Sequence, residues 1–120
     1  MLEGIHTRSP SARVFVVNYP AIFPDSGPGC YPIVPVADGD VPYLRNKEKE
    51  LNQMLAVQAA ANNASLIDWY TASIGHDACQ PPGTKWVEAA VPTTPAAPVH
   101  PNLLGMQAAA DLVVAAVGTP

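Results

Sequence analysis

Three histidines, two cysteines and a few loop serines are the residues of this chain whose types could carry chemistry. The most promising stretch is Val99-His100-Pro101-Asn102-Leu103-Leu104-Gly105-Met106. Pro101 restricts the backbone of His100, and Asn102 is a capping residue directly before an apolar helical pattern. Such an arrangement sets an imidazole at the mouth of a loop, where a base can take a proton from a hydroxyl. In isolation, His100 would serve as well as a capping or loop residue. His76, in Gly75-His76-Asp77-Ala78-Cys79, reads as a loop side chain bonded to nearby backbone, with a place at a substrate cleft as the alternative. His6 lies in a weak N-terminal segment and reads as surface.

A base needs something to activate. Ser26, in Asp25-Ser26-Gly27, superficially matches a Gly-Asp-Ser nucleophile motif. It lies among prolines and glycines, whereas that motif belongs at a strand-to-helix turn beside oxyanion donors. Ser9, Ser11, Ser65 and Ser73 have no better setting. A cysteine hydrolase would need Cys30 or Cys79 free, lowered in pKa and close to His100. The cysteines pair better than they react, because each lies in a long loop rich in glycine and proline. Bridging Cys30 to Cys79 would close about 50 residues and contribute about 4 kcal/mol in the chain-entropy model. Such a bridge implies an oxidising compartment. Neither the cysteines nor the dispersed histidines have metal-ligand spacing, so no metal and no cofactor are expected.

Two ordered blocks must position these residues. Twelve of the fourteen prolines crowd residues 20–42 and 81–101 and leave 43–80 and 102–119 free. Arg13-Val14-Phe15-Val16-Val17 is a short apolar run suited to a strand buried on both faces of a parallel sheet. Asp40 can cap a helix with Pro42 in its first turn. Leu44, Leu51, Met54, Leu55 and Ala59 then recur at helical spacing, which predicts a helix over 42–62 with its charges turned outward. Asn62 and Asn63 suit its left-handed end. Ser65-Leu66-Ile67-Asp68-Trp69-Tyr70 reads as a second strand, completing a βαβ unit with parallel strands. The segment 71–101 is a second long loop. A last helix runs from Leu103 to Val117 and presents Leu103, Met106, Ala110, Val113, Val114 and Val117, with Gly118 closing it. Residues 1–11 read as the tail of a helix and a turn.

The 120 residues make one domain or a piece of one, and 48% hydrophobic content with 13% charge argues for a packed body. A net charge of −4 leaves no basic footprint for nucleic acid. The mixed-sign run Arg45-Asn46-Lys47-Glu48-Lys49-Glu50 reads as a solvated helix face. No apolar run approaches the ~18 residues of a membrane span. Met1–His6 has neither the basic start nor the apolar core of a signal peptide. Taken literally, that cytoplasmic start contradicts a disulfide unless the true N-terminus lies upstream.

The order of these motifs resembles a family. A strand ending in Asn18-Tyr19-Pro20, a Gly29-Cys30 loop, a long helix, Gly75-His76-Asp77-Ala78-Cys79, Trp86 and His100-Pro101-Asn102 with Gly105 look like the C-terminal half of actinobacterial SGNH/GDSL hydrolases. The similarity runs from about residue 2 to 117, so residues 1–120 would be the C-terminal portion of one such domain. The family consists of secreted esterases and lipases, and the resemblance implies an α/β, flavodoxin-like three-layer fold with parallel strands. It makes His100 the general base and pairs Cys30 with Cys79. The family's Gly-Asp-Ser block and oxyanion donors have no counterpart in this sequence. Its frequent aspartate three residues before the histidine is replaced by Ala97, whose backbone carbonyl is the expected partner of the His100 ring.

The expected function is therefore carboxylic ester hydrolysis, with an ester or lipid substrate engaged once an N-terminal half completes the site. Residues 1–120 alone should be inactive. Self-association through an uncovered sheet surface and a secreted location complete that expectation. Two alternatives stand beside it: a non-catalytic α/β binding or structural domain, and a half-domain that complements a separately encoded N-terminal half.

Overall fold

A computed structural model describes residues 1–118 of the chain. The apolar run Val14–Val17 forms strand β1 (Phe15–Val17), and Ser65–Ile67 forms β2. The two pair in parallel, Phe15 opposite Ser65, Val16 opposite Leu66 and Val17 opposite Ile67. Parallel neighbours need a crossover, and helix α2 (Val41–Ala61) supplies it. The molecule is thus α/β, with the expected βαβ unit as its frame. A short helix α1 (Leu2–Arg8) precedes it, and α3 (Trp69–Ala72) and α4 (Leu103–Val117) follow.

The second strand is shorter than the sequence suggests, because Asp68 caps α3 instead of extending the ladder. Its carboxylate accepts from the Thr71 backbone N–H at 3.1 Å and from the Thr71 hydroxyl at 2.6 Å. Asn18 locks the corner, donating to Asp68 at 2.9 Å and accepting from the Tyr70 N–H at 2.9 Å. Local capping overrides the β preference of Trp69 and Tyr70 here.

Helix α2 has the expected span, but its inward face is only partly the expected one: Ala59 is buried and Leu44 and Leu55 are half-buried, while Leu51 and Met54 are not. Pro42 lies in its first turn, and Asn63 ends it in the left-handed region with φ 51°. Asp40 holds the N-cap position without a side-chain cap bond. The buried residues are Val41, Arg45, Asn52 and Ala59, whereas Leu51, Met54 and Val57 are exposed. The charge run is therefore a clamp as well as a solvated face. Asn52 accepts from the Tyr19 N–H at 2.9 Å and donates to the Tyr19 carbonyl at 3.1 Å. The Glu48 carboxylate accepts from the Ile22 N–H, Arg45 donates to the Gly27 carbonyl, and Lys49 pairs with Asp25 at 2.7 Å. A loop passing over a helix brings unpaired backbone groups, and these polar side chains satisfy them.

The apolar core lies where the two long loops meet. Phe23, Val34 and Val41 pack against Ala78, Val87 and Ala89, with Cys30 and Cys79 against the same cluster. The two cysteines are bridged, with Cα atoms 5.5 Å apart. The bridge therefore fastens one loop to the other across the core they share.

Helix α4 begins at Leu103 and stops at Val117, where Gly118 turns with φ 82°. Its packed side holds buried Gly105 and half-buried Ala108, Ala109, Leu112 and Val113. The stripe expected to face the core is instead largely open: Leu103 is 62% exposed, Met106 53% and Val114 55%. The two-stranded sheet is too small to cover both sides of so apolar a helix. Arg13 holds the far end by donating to the Ala116 and Val117 carbonyls. Among the described residues, no helix is long and apolar enough to cross a membrane.

Candidate active site

Asn102 builds the start of α4. Its side-chain oxygen accepts from the Gly105 N–H at 3.1 Å, and its amide donates to the Lys85 carbonyl at 2.8 Å and to Glu88 at 3.0 Å. Its own N–H donates to the Trp86 carbonyl at 2.9 Å. Gly105 is required one turn later, because a Cβ there would collide with that same Trp86 carbonyl. Cap, helix and the Trp86 backbone thus interlock within one turn.

Residues 86–89 on the other side of this joint run antiparallel to the histidine segment through an isolated bridge. Val87 bridges Pro101, the Glu88 N–H donates to the His100 carbonyl at 2.9 Å, and Val99 N–H donates to Ala89 at 3.3 Å. His100 is held through its backbone while its imidazole is exposed. The ring's Nδ1 lies 2.8 Å from the Pro98 carbonyl. The Ala97 carbonyl, expected to orient the ring, accepts instead from the His100 backbone N–H at 3.2 Å. The ring's backbone partner is therefore one residue later than expected, because Val99 turns left-handed with φ 58° and redirects the chain just before His100.

A carbonyl oxygen can only accept, so the neutral ring carries its proton on Nδ1. Nε2 keeps its lone pair. That tautomer is the one a general base needs, with the second nitrogen fixed by a neighbouring acceptor.

The other candidates have structural duties. His76 stacks on Trp86 with ring centroids 4.1 Å apart, and its Nδ1 meets the Thr84 carbonyl at 2.6 Å. His6 reaches the Asn62 carbonyl at 2.8 Å and so ties α1 to the end of α2. Ser73 is fully buried, donating to the Tyr70 carbonyl and accepting from the Ala21 N–H. Ser26 is exposed in its turn, and Cys30 and Cys79 are consumed in their bridge. The bridge removes the cysteine-nucleophile alternative.

One feature escaped the sequence reading. Lys85 and Glu88 form an ion pair of 2.8 Å with their side chains only 3% and 0% exposed. Burial works to raise the Glu88 carboxyl, but bonds from Lys85, Thr93, Asn102 and Thr94 outweigh it and hold it well below the usual range. Two charges in a proline-rich loop read as solvated, and only the i, i+3 spacing of Lys85 and Glu88 hints at a pair. Beside the same loop, Leu103, Leu104, Met106, Pro95, Thr94 and Gly83 line a largely apolar cavity of about 530 Å³.

A model of the GDSL-like lipase/acylhydrolase family matches residues 1–108. Lipase 2 of Streptomyces coelicolor (strain ATCC BAA-471 / A3(2) / M145) is 40% identical over 118 residues, which are 98% of this chain. The chain spans 40% of that relative's own length.

Proposed function

Because this chain belongs to the GDSL-like lipase/acylhydrolase family, we propose that it is the C-terminal, base-bearing portion of a carboxylic ester hydrolase. His100 is its general base. The observation that carries this reading is the ring's Nδ1 on the Pro98 carbonyl at 2.8 Å, which leaves Nε2 free on an exposed imidazole. The base takes a proton from a serine hydroxyl, the serine oxygen attacks the ester carbonyl, and the imidazolium then protonates the leaving alkoxide, releasing the alcohol. An acyl-serine forms and water hydrolyses it by the same base. A neutral carbonyl supports the imidazolium less than a carboxylate would. The apolar cavity beside α4 suits the hydrocarbon part of an ester.

No residue here matches the nucleophile block of the family, so the serine and oxyanion donors must come from another segment. Three surfaces favour such a complement: the unpaired edge of β1, the open stripe of α4, and exposed Leu51, Met54 and Val57 on α2. The same surfaces would drive self-association of the isolated chain. The Cys30–Cys79 bridge is compatible with an extracellular location.

The test is hydrolysis of p-nitrophenyl esters. The 120-residue chain should not exceed buffer, and co-expression with the part of the Streptomyces relative that this chain does not match should restore turnover. His100→Ala should abolish that turnover without changing the melting temperature. Restored turnover that survives His100→Ala would remove the base assignment. Turnover by the chain alone, lost in His100→Ala, would overturn the need for a complement.

A further inference from the structure

We propose that Glu88 is a positioning residue for His100, its buried carboxylate pinning both ends of the loop that orients the imidazole. This deepens the reading of His100 as a base and rests on it. The loop from residue 93 to 102 leaves the core and returns to it, and the His100 ring projects from its return limb. At the outgoing end, Glu88 accepts from the Thr93 N–H at 2.8 Å, the Thr93 hydroxyl at 3.1 Å and the Thr94 hydroxyl at 2.7 Å. At the returning end it accepts from the Asn102 amide at 3.0 Å. Its own N–H meanwhile holds the His100 carbonyl. One side chain thus spans the base of the loop, and Lys85 balances its charge.

The loop needs such a restraint because it contains a strained residue. Val99 is β-branched and sits at φ 58°, a region such residues occupy only where their surroundings impose it. Its neighbours are Pro98 and His100, whose carbonyl and ring make the orienting contact. If Val99 relaxed to negative φ, the peptide between those two residues would rotate and the contact would be lost. Ring orientation is therefore stored in Val99 and secured by Glu88. A carboxylate serving the core alone would need no bonds to the loop's far ends.

The experiment is nitrogen NMR of the His100 imidazole in the 120-residue chain, which needs no hydrolysis. In the parent chain the neutral ring should be mainly Nδ1-protonated. Glu88→Leu alone would strand a buried Lys85 ammonium, so the informative variant is Lys85→Met/Glu88→Leu, which removes the carboxylate acceptor of Thr93, Thr94 and Asn102, with near-ultraviolet circular dichroism to verify the fold. Its His100 should change to the Nε2-protonated form. Adding Val99→Gly should bring back the Nδ1-protonated form, because glycine reaches positive φ without strain. A folded double variant with an unchanged tautomer would overturn the proposal, as would failure of Val99→Gly to restore it. Should the double variant not fold, Thr94→Val removes one donor to Glu88, and an unchanged tautomer there would overturn it equally. If tautomer and Glu88 remain linked while the complemented protein does not hydrolyse esters, the catalytic reading fails and the positioning role stands.

Discussion

Replacing Glu48 with glutamine should remove much of the pH dependence of stability between about pH 4.5 and 7. Glu48 is half-buried on α2 against the loop after β1, lining a hollow with Tyr19, Ile22 and Leu51. Burial pushes its carboxyl up to about 7 from an ordinary 4.5, although the Ile22 N–H and Lys49 favour the ionised form. In that window the folded protein holds a proton that the unfolded chain releases. Folding is therefore favoured most below about pH 4.5, and the benefit disappears as pH rises through 7. The full difference would amount to about 3 kcal/mol. Solvent reaches part of the side chain, which reduces the expected effect to about 1–2 kcal/mol. Glu88 cannot supply the same trend, because its lowered pKa places its loss of stability on the acid side, below about 4.5. Glutamine keeps an oxygen for the Ile22 N–H and carries no charge. At pH 8 the variant should melt about 3–10 °C higher than the parent, and at pH 5 the two should nearly coincide. Urea or thermal unfolding followed by circular dichroism from pH 5 to 8 measures this. Parallel parent and variant curves across that range would refute the reasoning.

Removing the bridge with Cys30→Ala/Cys79→Ala should cost about 4 kcal/mol by urea denaturation, because the two long loops that form the core lose their tether. Equal midpoints for the oxidised parent and the variant would contradict that. Gly105→Ala should destabilise by about 1–3 kcal/mol despite alanine's helix preference, since its methyl meets the Trp86 carbonyl that caps Asn102. A variant as stable as the parent would show that this joint is loose. Asn52→Ala should cost about 2–4 kcal/mol by leaving both Tyr19 backbone groups unpaired, and hydrogen exchange at the Tyr19 amide should accelerate. Unchanged exchange at Tyr19 would rule out the clamp.

The ends of α4 could be read from sequence because capping is local. Asn102 and Gly118 act within one turn, and the helix runs between them as expected. Asn63 ends α2 for the same reason. Which face of a helix is covered is not a local property. On α2 the spacing of Leu51, Met54 and Leu55 suggests an apolar contact, yet the loop after β1 also passes over the helix, and its backbone needs hydrogen bonds. Arg45, Glu48 and Asn52 supply them and take the inward side. On α4 the apolar stripe is genuine, but only a three-residue strand is at hand to meet part of the helix. Hydrophobic periodicity says that a face will be covered and does not name the cover.

The site divides along the same line. The pairing of Cys30 with Cys79 is legible because only two cysteines lie in the two long loops, whereas His100 stands out only through the family pattern around it. The partner of the imidazole is not legible, because it depends on the sign of one backbone angle. With Val99 at φ 58°, the ring meets the Pro98 carbonyl, and the Ala97 carbonyl takes the His100 N–H. Nothing in the identity of Val99 signals this, and its β-branching argues against it. The conformation becomes intelligible only with the buried Glu88 that grips Thr93, Thr94 and Asn102 on either side. In this loop the imidazole follows a left-handed Val99, and a buried carboxylate 14 residues before the Asn102 cap bonds both ends of the segment.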